Sequence, residues 1–167
     1  MIAKSYIEKS LKDLDKLYSS SGSQRKATMY CKMATLELCG WIEDTVDEIV
    51  LRHAKRKLKL NLNYLEYKRD FVKKTSGFVY EYHIRGLLMR LIGLIGLEEI
   101  EKNLEADHAK ITVLKTQLNN LVQIRNNAAH THLKNVTPQY FSPSACQGSF
   151  VIIYNCLKSI DDELRSL

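Results

Sequence analysis

Arg125-Asn126-Asn127-Ala128-Ala129-His130 places a cation, two amides and an imidazole within one short stretch of this 167-residue chain. These residue types suit a phosphate: a guanidinium can hold it bidentately, and an imidazole titrates near neutral pH and can move a proton in either direction. The arginine also stands where the helix around it asks for leucine. Leu114, Leu118 and Leu121 recur at the i, i+4, i+7 spacing of an apolar face, and the next position in that series is Arg125. A guanidinium on a stripe that should be buried is costly unless it meets an acid, a partner subunit or an anionic ligand. Asn126 and His130, at i and i+4, share a face. Arg125 and His130 diverge by roughly 140° on a straight helix. For these two to converge, the helix must end or loosen near His130, or the arginine's arm must curl round. Ala128 and Ala129 leave room for another backbone to approach. The competing reading is an ordinary helix C-terminus, with His130 at the negative end of the dipole and Arg125 snorkelling to water.

The hexapeptide resembles the RNxxxH form of the arginine-x4-6-histidine motif of the HEPN superfamily (higher eukaryotes and prokaryotes nucleotide-binding domains). Leu36-Glu37-Leu38-Cys39-Gly40-Trp41-Ile42-Glu43 is similar to the second-helix run of a plasmid-borne subgroup of that superfamily. The resemblance implies an all-α, up-and-down helical bundle of five to six helices, with residues 1–167 as a single HEPN-like domain. It also implies a homodimer whose two motif helices build one composite site. Many members are metal-independent endoribonucleases, often toxins or defence proteins. RNA cleavage is therefore the implied activity, with no metal or cofactor and with an antitoxin or other protein as a possible partner. In the implied mechanism the RNA 2′-hydroxyl attacks its neighbouring phosphate. His130 acts as general base or acid, Arg125 holds the phosphate and stabilises the charge that builds on it, and Asn126 orients the phosphate or the histidine. The second copy's histidine supplies the complementary proton transfer. Some members are instead non-catalytic RNA-binding or dimerising modules. The chain departs from many toxins of this kind at His132, where they carry a tyrosine that a nucleotidyltransferase can modify. Control by that modification is not expected, and His132 either assists proton transfer or is a loop histidine without a role.

Composition agrees with a single helical domain. The chain is long enough for one good core and short for two. With 45% hydrophobic and 26% charged residues it is neither disordered nor membrane-like, and seven glycines and two prolines favour long helices over a turn-rich β fold. The opening Met1-Ile2-Ala3-Lys4-Ser5 has no apolar core behind it, so no signal peptide is expected. The run from Leu91 to Leu97 is too short to span a bilayer. A cytoplasmic protein is the default. Cys31, Cys39, Cys146 and Cys156 lack zinc-chelating spacings and read as buried free thiols. His53 and His108 read as surface or half-buried helix residues.

The apolar periodicity divides the chain into helices. A first covers Ala3 to Tyr18, ended by Ser19 to Ser23, and a long second runs from Ser23 to Lys57 with Leu38, Ile42, Val46, Ile49 and His53 on its stripe. Leu58 to Asn63 alternates polar and apolar residues and reads as a short strand or, preferably, a loop closed by a capping box of Asn63 with Glu66. A third helix covers Tyr64 to Lys74, a fourth Val79 to Ile95 with a shorter turn after Gly96, and Asp107 caps the motif helix from His108 to His130. After a loop from Thr131, Ser142-Pro143 opens the last helix, with Phe150, Ile153, Tyr154, Leu157, Ile160 and Leu164 on its face.

Charge is uneven along the chain. The net charge is +6, yet the segment from Arg52 to Arg90 carries eleven Lys or Arg against three acids, leaving a net −2 elsewhere. Six of the fourteen aromatics fall in the same segment, Tyr64, Tyr67, Phe71, Phe78, Tyr80 and Tyr82. Cations with interleaved rings suit a nucleic-acid backbone with stacked single-stranded bases. The alternative is a solvated basic helix with core aromatics, and charge alone does not tell RNA from DNA. Glu37, Asp44 and Glu48 form an acidic stripe beside Trp41, read as a surface face or as carboxylates that orient Arg125 or a catalytic water.

Overall fold

The longest apolar pattern in the sequence becomes the central element of the structure. A computed structural model describes residues 2–129 and 139–167, and its helix α2 runs over Gln24–Lys57. Leu38, Cys39, Ile42, Val46, Ile49 and Val50 are all buried. They occupy more than one face, as in a helix wrapped by neighbours rather than laid on a surface. Helices α1 (Ser5–Ser19), α3 (Asn61–Glu66), α4 (Arg85–Ala106), α5 (Lys110–Ala129) and α6 (Pro143–Ser166) complete the set. All five touch α2, and α1 and α5 also pack on α6. The described residues contain six α-helices and no strand, an all-α bundle as expected. The apolar side chains of α1, α2, α4, α5 and α6 form one core.

The start of α6 follows its sequence signal. The Ser142 hydroxyl accepts the Ala145 N–H at 3.2 Å, and Pro143 occupies the first turn. The expected capping box does not form, because Leu58 and Leu60 are extended and α3 begins at Asn61, which puts Asn63 inside the helix. The third helix then loosens into a π turn over Tyr67–Phe71 and a 3₁₀ turn over Val72–Lys74. Tyr67 is buried there and donates its hydroxyl to the Leu87 carbonyl at 3.0 Å. This bond gives the wider turn a tertiary anchor. The fourth helix opens with a π turn over Tyr80–Ile84, and its break falls at Gly93 (φ 73°, ψ 172°), not after Gly96. Asp107 ends α4 rather than capping α5, and it pairs with Lys110. Glu105 caps α5 instead, accepting the Thr112 N–H at 3.1 Å and the Thr112 hydroxyl at 2.7 Å.

Two tight connections store opposite conformational demands. His108 and Ala109 join α4 to α5 at φ 57° and 52°, the left-handed region that side chains resist. Gly77 sits at φ 110°, and a Cβ built on it would lie 2.9 Å from Cε1 of His83. That ring is held because its Nδ1 accepts the Val79 N–H at 3.0 Å. Ala109→Gly should therefore stabilise the fold by about 0.5–1 kcal/mol, the left-handed penalty less the added unfolded-chain entropy. Gly77→Ala should cost roughly 1–3 kcal/mol. Urea unfolding at constant m-value checks both; midpoints unchanged from the parent would contradict the strain assignment.

Candidate active site

Helix α5 buries Leu114, Leu118 and Leu121 and continues its buried stripe through Ala128. Arg125 is thereby moved to the flank of the seam, where its side chain remains 42% exposed. Its Nη2 stands 3.9 Å from Oε1 of Glu43 on α2, whose side chain is 33% exposed. The cation therefore faces an acid on one side and solvent on another. Asn126 and Asn127 are exposed. His130 and His132 lie outside the described residues, as does the approach of His130 to Arg125.

The segment from Leu36 to Glu43 on α2 reaches the same seam. Leu38, Cys39 and Ile42 point into the core. Trp41 donates its indole N–H to the Ala3 carbonyl at 2.9 Å and meets Phe150 edge-on, with ring centroids 4.9 Å apart. These anchors turn Glu43 toward α5. Spacing along the sequence gives Glu43 no role and offers the Glu37, Asp44 and Glu48 stripe as the acids that could orient Arg125. Asp44 and Glu48 are exposed and Glu37 partly so. Glu43 was missed because pairing between helices follows from their relative rotation, which periodicity within one helix does not fix.

Burial and like charge set the titration of the neighbours. The Cys39 thiol is pushed up to about 12, mainly by burial, with Cys146 adding and Arg125 opposing. A thiol so placed is a core group, not a nucleophile. All four cysteines are buried and free. Asp47, one turn beyond Glu43, is raised to about 6 by burial first and then by Asp44 and Glu43.

The basic segment is partly neutralised within the fold. Asp70 accepts from Arg69 at 2.5 Å and Lys74 at 3.0 Å, which hold its carboxyl down at about 2. Arg85 pairs with Glu101 at 2.9 Å, and Arg90 lies over the Phe71 ring at 5.0 Å. Tyr67, Phe78 and Tyr80 are core residues, and Phe71 is packed against the core. Of the six rings expected to interleave with cations, Tyr64 is partly exposed and Tyr82 fully so. Tyr67 and Tyr80 are anchored inward by their hydroxyls, on the Leu87 carbonyl and on Oε1 of Glu101, each at 3.0 Å. Among the described residues no group of three His, Cys, Asp or Glu is close enough to hold a metal ion. No helix of the described residues is long and apolar enough to cross a membrane.

An all-helical bundle with an arginine motif late in the chain, joined through one acid to the second helix, defines a class that the family comparison resolves. A family model described as RiboL-PSP-HEPN matches residues 3–165, and the chain belongs to this HEPN family. It is thereby a nucleotide- or RNA-related HEPN module. None of the curated proteins and none of the solved structures compared with the chain matches it.

The acids beside the site give a pH signature. Folding raises the Asp47 pKa from 3.8 to about 6. Its contribution is thus fully present below the lower value and is lost as pH rises through the upper one. Asp47→Asn should stabilise the protein by roughly 1 kcal/mol near pH 7.5, after discounting for solvent screening. The gain should shrink toward pH 4.5. Thermal melts of both proteins across this range check it, and a gain independent of pH would contradict the assignment.

Proposed function

We propose that the chain is a metal-independent endoribonuclease of HEPN type. It forms a single domain over residues 1–167 and acts as a cytoplasmic homodimer with one composite site, in a toxin–antitoxin or defence setting. Family membership supports this reading. The observation that carries it is the half-open Arg125, paired with Glu43 at 3.9 Å yet 42% exposed. An exposed ion pair is worth roughly 0–1 kcal/mol. A bidentate phosphate, with charge-assisted hydrogen bonds of about 1.5–3 kcal/mol, can displace it.

The chemistry follows from the residue types. The RNA 2′-oxygen forms a bond to phosphorus and gives its proton to one His130. The bond from phosphorus to the 5′-oxygen breaks, and the partner copy's histidine returns a proton to that leaving oxygen. Arg125 stabilises the charge on the non-bridging oxygens, and Asn126 orients the phosphate or the imidazole. The products are a 2′,3′-cyclic phosphate and a 5′-hydroxyl. Glu43 acts as a positioning residue, holding the guanidinium fork until phosphate arrives. The second reading, a non-catalytic RNA-binding or dimerising module, draws on the same contact, since an arginine occupied by an acid also serves as structure.

Cleavage should persist in EDTA, yield the cyclic phosphate or its hydrolysis product, and stop when deoxyribose replaces ribose at the cut. His130→Ala should lose about 10²–10⁴-fold in rate, and Arg125→Ala roughly 10²–10³-fold. Arg125→Lys should not restore the full rate, because the planar fork is gone. Light scattering should find a dimer at tens of micromolar. A dimer that binds RNA without cutting it, with both alanine variants behaving like the parent, would leave the binding module as the function.

A further inference from the structure

Away from Arg125, two cavities open on the C-terminal half of α2. One, of about 300 Å³, is lined by Arg52, His53, Arg56, Asp161, Leu164 and Arg165. The other, of about 450 Å³, is lined by Glu48, Leu51, Arg52, Lys55, Arg56 and Tyr64. They share Arg52 and Arg56, so they form one groove with Arg165 toward one end and the Tyr64 ring toward the other. Its charged lining is Arg52, Lys55, Arg56 and Arg165 against Glu48 and Asp161, a net excess of two positive charges. Burial, then Arg56 and Lys57, lowers the pKa of His53, which favours its neutral form.

The three arginines are held by buried partners rather than left to sway. Asp161, 7% exposed, accepts from Arg52 Nη2 at 3.1 Å and from Arg165 Nη2 at 2.5 Å. Arg56 Nη2 donates to the Leu164 carbonyl at 2.7 Å and lies 3.1 Å from Nδ1 of His53. The Leu164 contact also covers part of the negative end of α6, which would otherwise repel an anion. Guanidiniums fixed this way present a phosphate site whose ordering cost is largely met by folding. Tyr64 rests on the core yet lines the groove, a ring beside cations in the arrangement that binds single strands by stacking a base and holding its phosphate.

We propose that this groove is a nucleotide subsite for single-stranded RNA, with a phosphate on Arg56 and Arg165 and a base stacked on Tyr64. The inference rests on RNA being the ligand of the HEPN site. It places a second contact about 14–20 Å along α2 from Glu43, nine to thirteen residues at the helical rise. An acidic peptide would use the cations without the ring, so Tyr64 distinguishes the two.

The test is fluorescence anisotropy of a labelled single-stranded 2′-O-methyl oligouridylate, whose blocked 2′-oxygens cannot attack, so that the full chain keeps Arg125 and no cutting occurs. Adding Tyr64→Ala should weaken binding by about 5–150-fold, the equivalent of roughly 1–3 kcal/mol per stacked base. Tyr64→Phe should restore affinity to near the parent value. Arg165→Gln should weaken binding and reduce the salt slope by about 0.7, with thermal melts confirming that the variant is folded. If Tyr64→Ala binds like its parent, the nucleotide subsite is overturned, whether or not Arg165→Gln has an effect. If the parent binds RNA and all groove variants match it, the groove fails while the RNA reading of the Arg125 site stands. A parent that binds no RNA overturns both.

Discussion

Helix α2 can exist at this length only because four other long helices wrap it, and that constraint organises the rest of the molecule. Leu38, Ile42, Ile49 and Val50 are each no more than 2% exposed. Fully burying one such side chain contributes about 1.5–3 kcal/mol. The polar groups in this stretch must be satisfied locally, as where the Thr35 hydroxyl donates to the Cys31 carbonyl at 3.1 Å. Charged side chains consequently leave α2 in few directions. Acids emerge around Glu43 to Glu48 in the middle of α2, and cations emerge toward its ends, Arg25, Lys26 and Lys32 near the start and Arg52, Lys55, Arg56 and Lys57 past Leu51.

The two ion clusters that result differ in kind. Glu43 and Arg125 meet at 3.9 Å with both side chains a third or more exposed, a contact that water and salt weaken. Asp161 is buried between Arg52 and Arg165, where removing one partner would strand a charge in low dielectric. The first is suited to being exchanged for a ligand. The second is suited to holding its arginines in place while their outer edges meet one.

This difference also separates what the sequence made legible from what it did not. Apolar spacing located α1, α2, α5 and α6 because each buries a face at helical period, and Ser142-Pro143 marked the start of α6 by a cap that acts within one turn. The stretch from Leu58 to Ile84 was less legible. Its π and 3₁₀ turns answer to tertiary anchors such as the Tyr67 hydroxyl on Leu87, which no local pattern encodes. Asp107 carried a cap signal that Glu105 displaced, since the left-handed pair His108 and Ala109 brings Glu105 back onto the Thr112 N–H in the first turn of α5. Arg125 was conspicuous as an interruption of the leucine series, but its partner and its exposure depended on how α5 turns against α2. Asp161 and Arg165, spaced i and i+4, carried a local signal of their own contact and none of Arg52.

The acids around Glu43 matter to the proposed chemistry beyond the single pair. A phosphate on the Arg125 fork would take the donors that face Glu43 and leave that carboxylate close to an anion. Asp44 and Asp47 lie on the same helix, and the Asp47 carboxyl is already raised to about 6, by burial first and then by Asp44 and Glu43. Ligand charge would strengthen that repulsion and draw a proton onto the cluster. Phosphate binding would then be linked to proton uptake through Glu43, and affinity at the Arg125 site would rise as pH falls toward the Asp47 pKa. Arg56 in the basic groove stands thirteen residues, roughly 20 Å, along α2 from Glu43, beyond the screening length of about 8 Å at physiological ionic strength, and of these acids only Glu48 lines the groove. RNA bound across both would therefore be held at one end by a contact nearly independent of pH near neutrality and at the other by one that tightens with acid. That asymmetry follows from placing acids in the middle of α2 and arginines at its end.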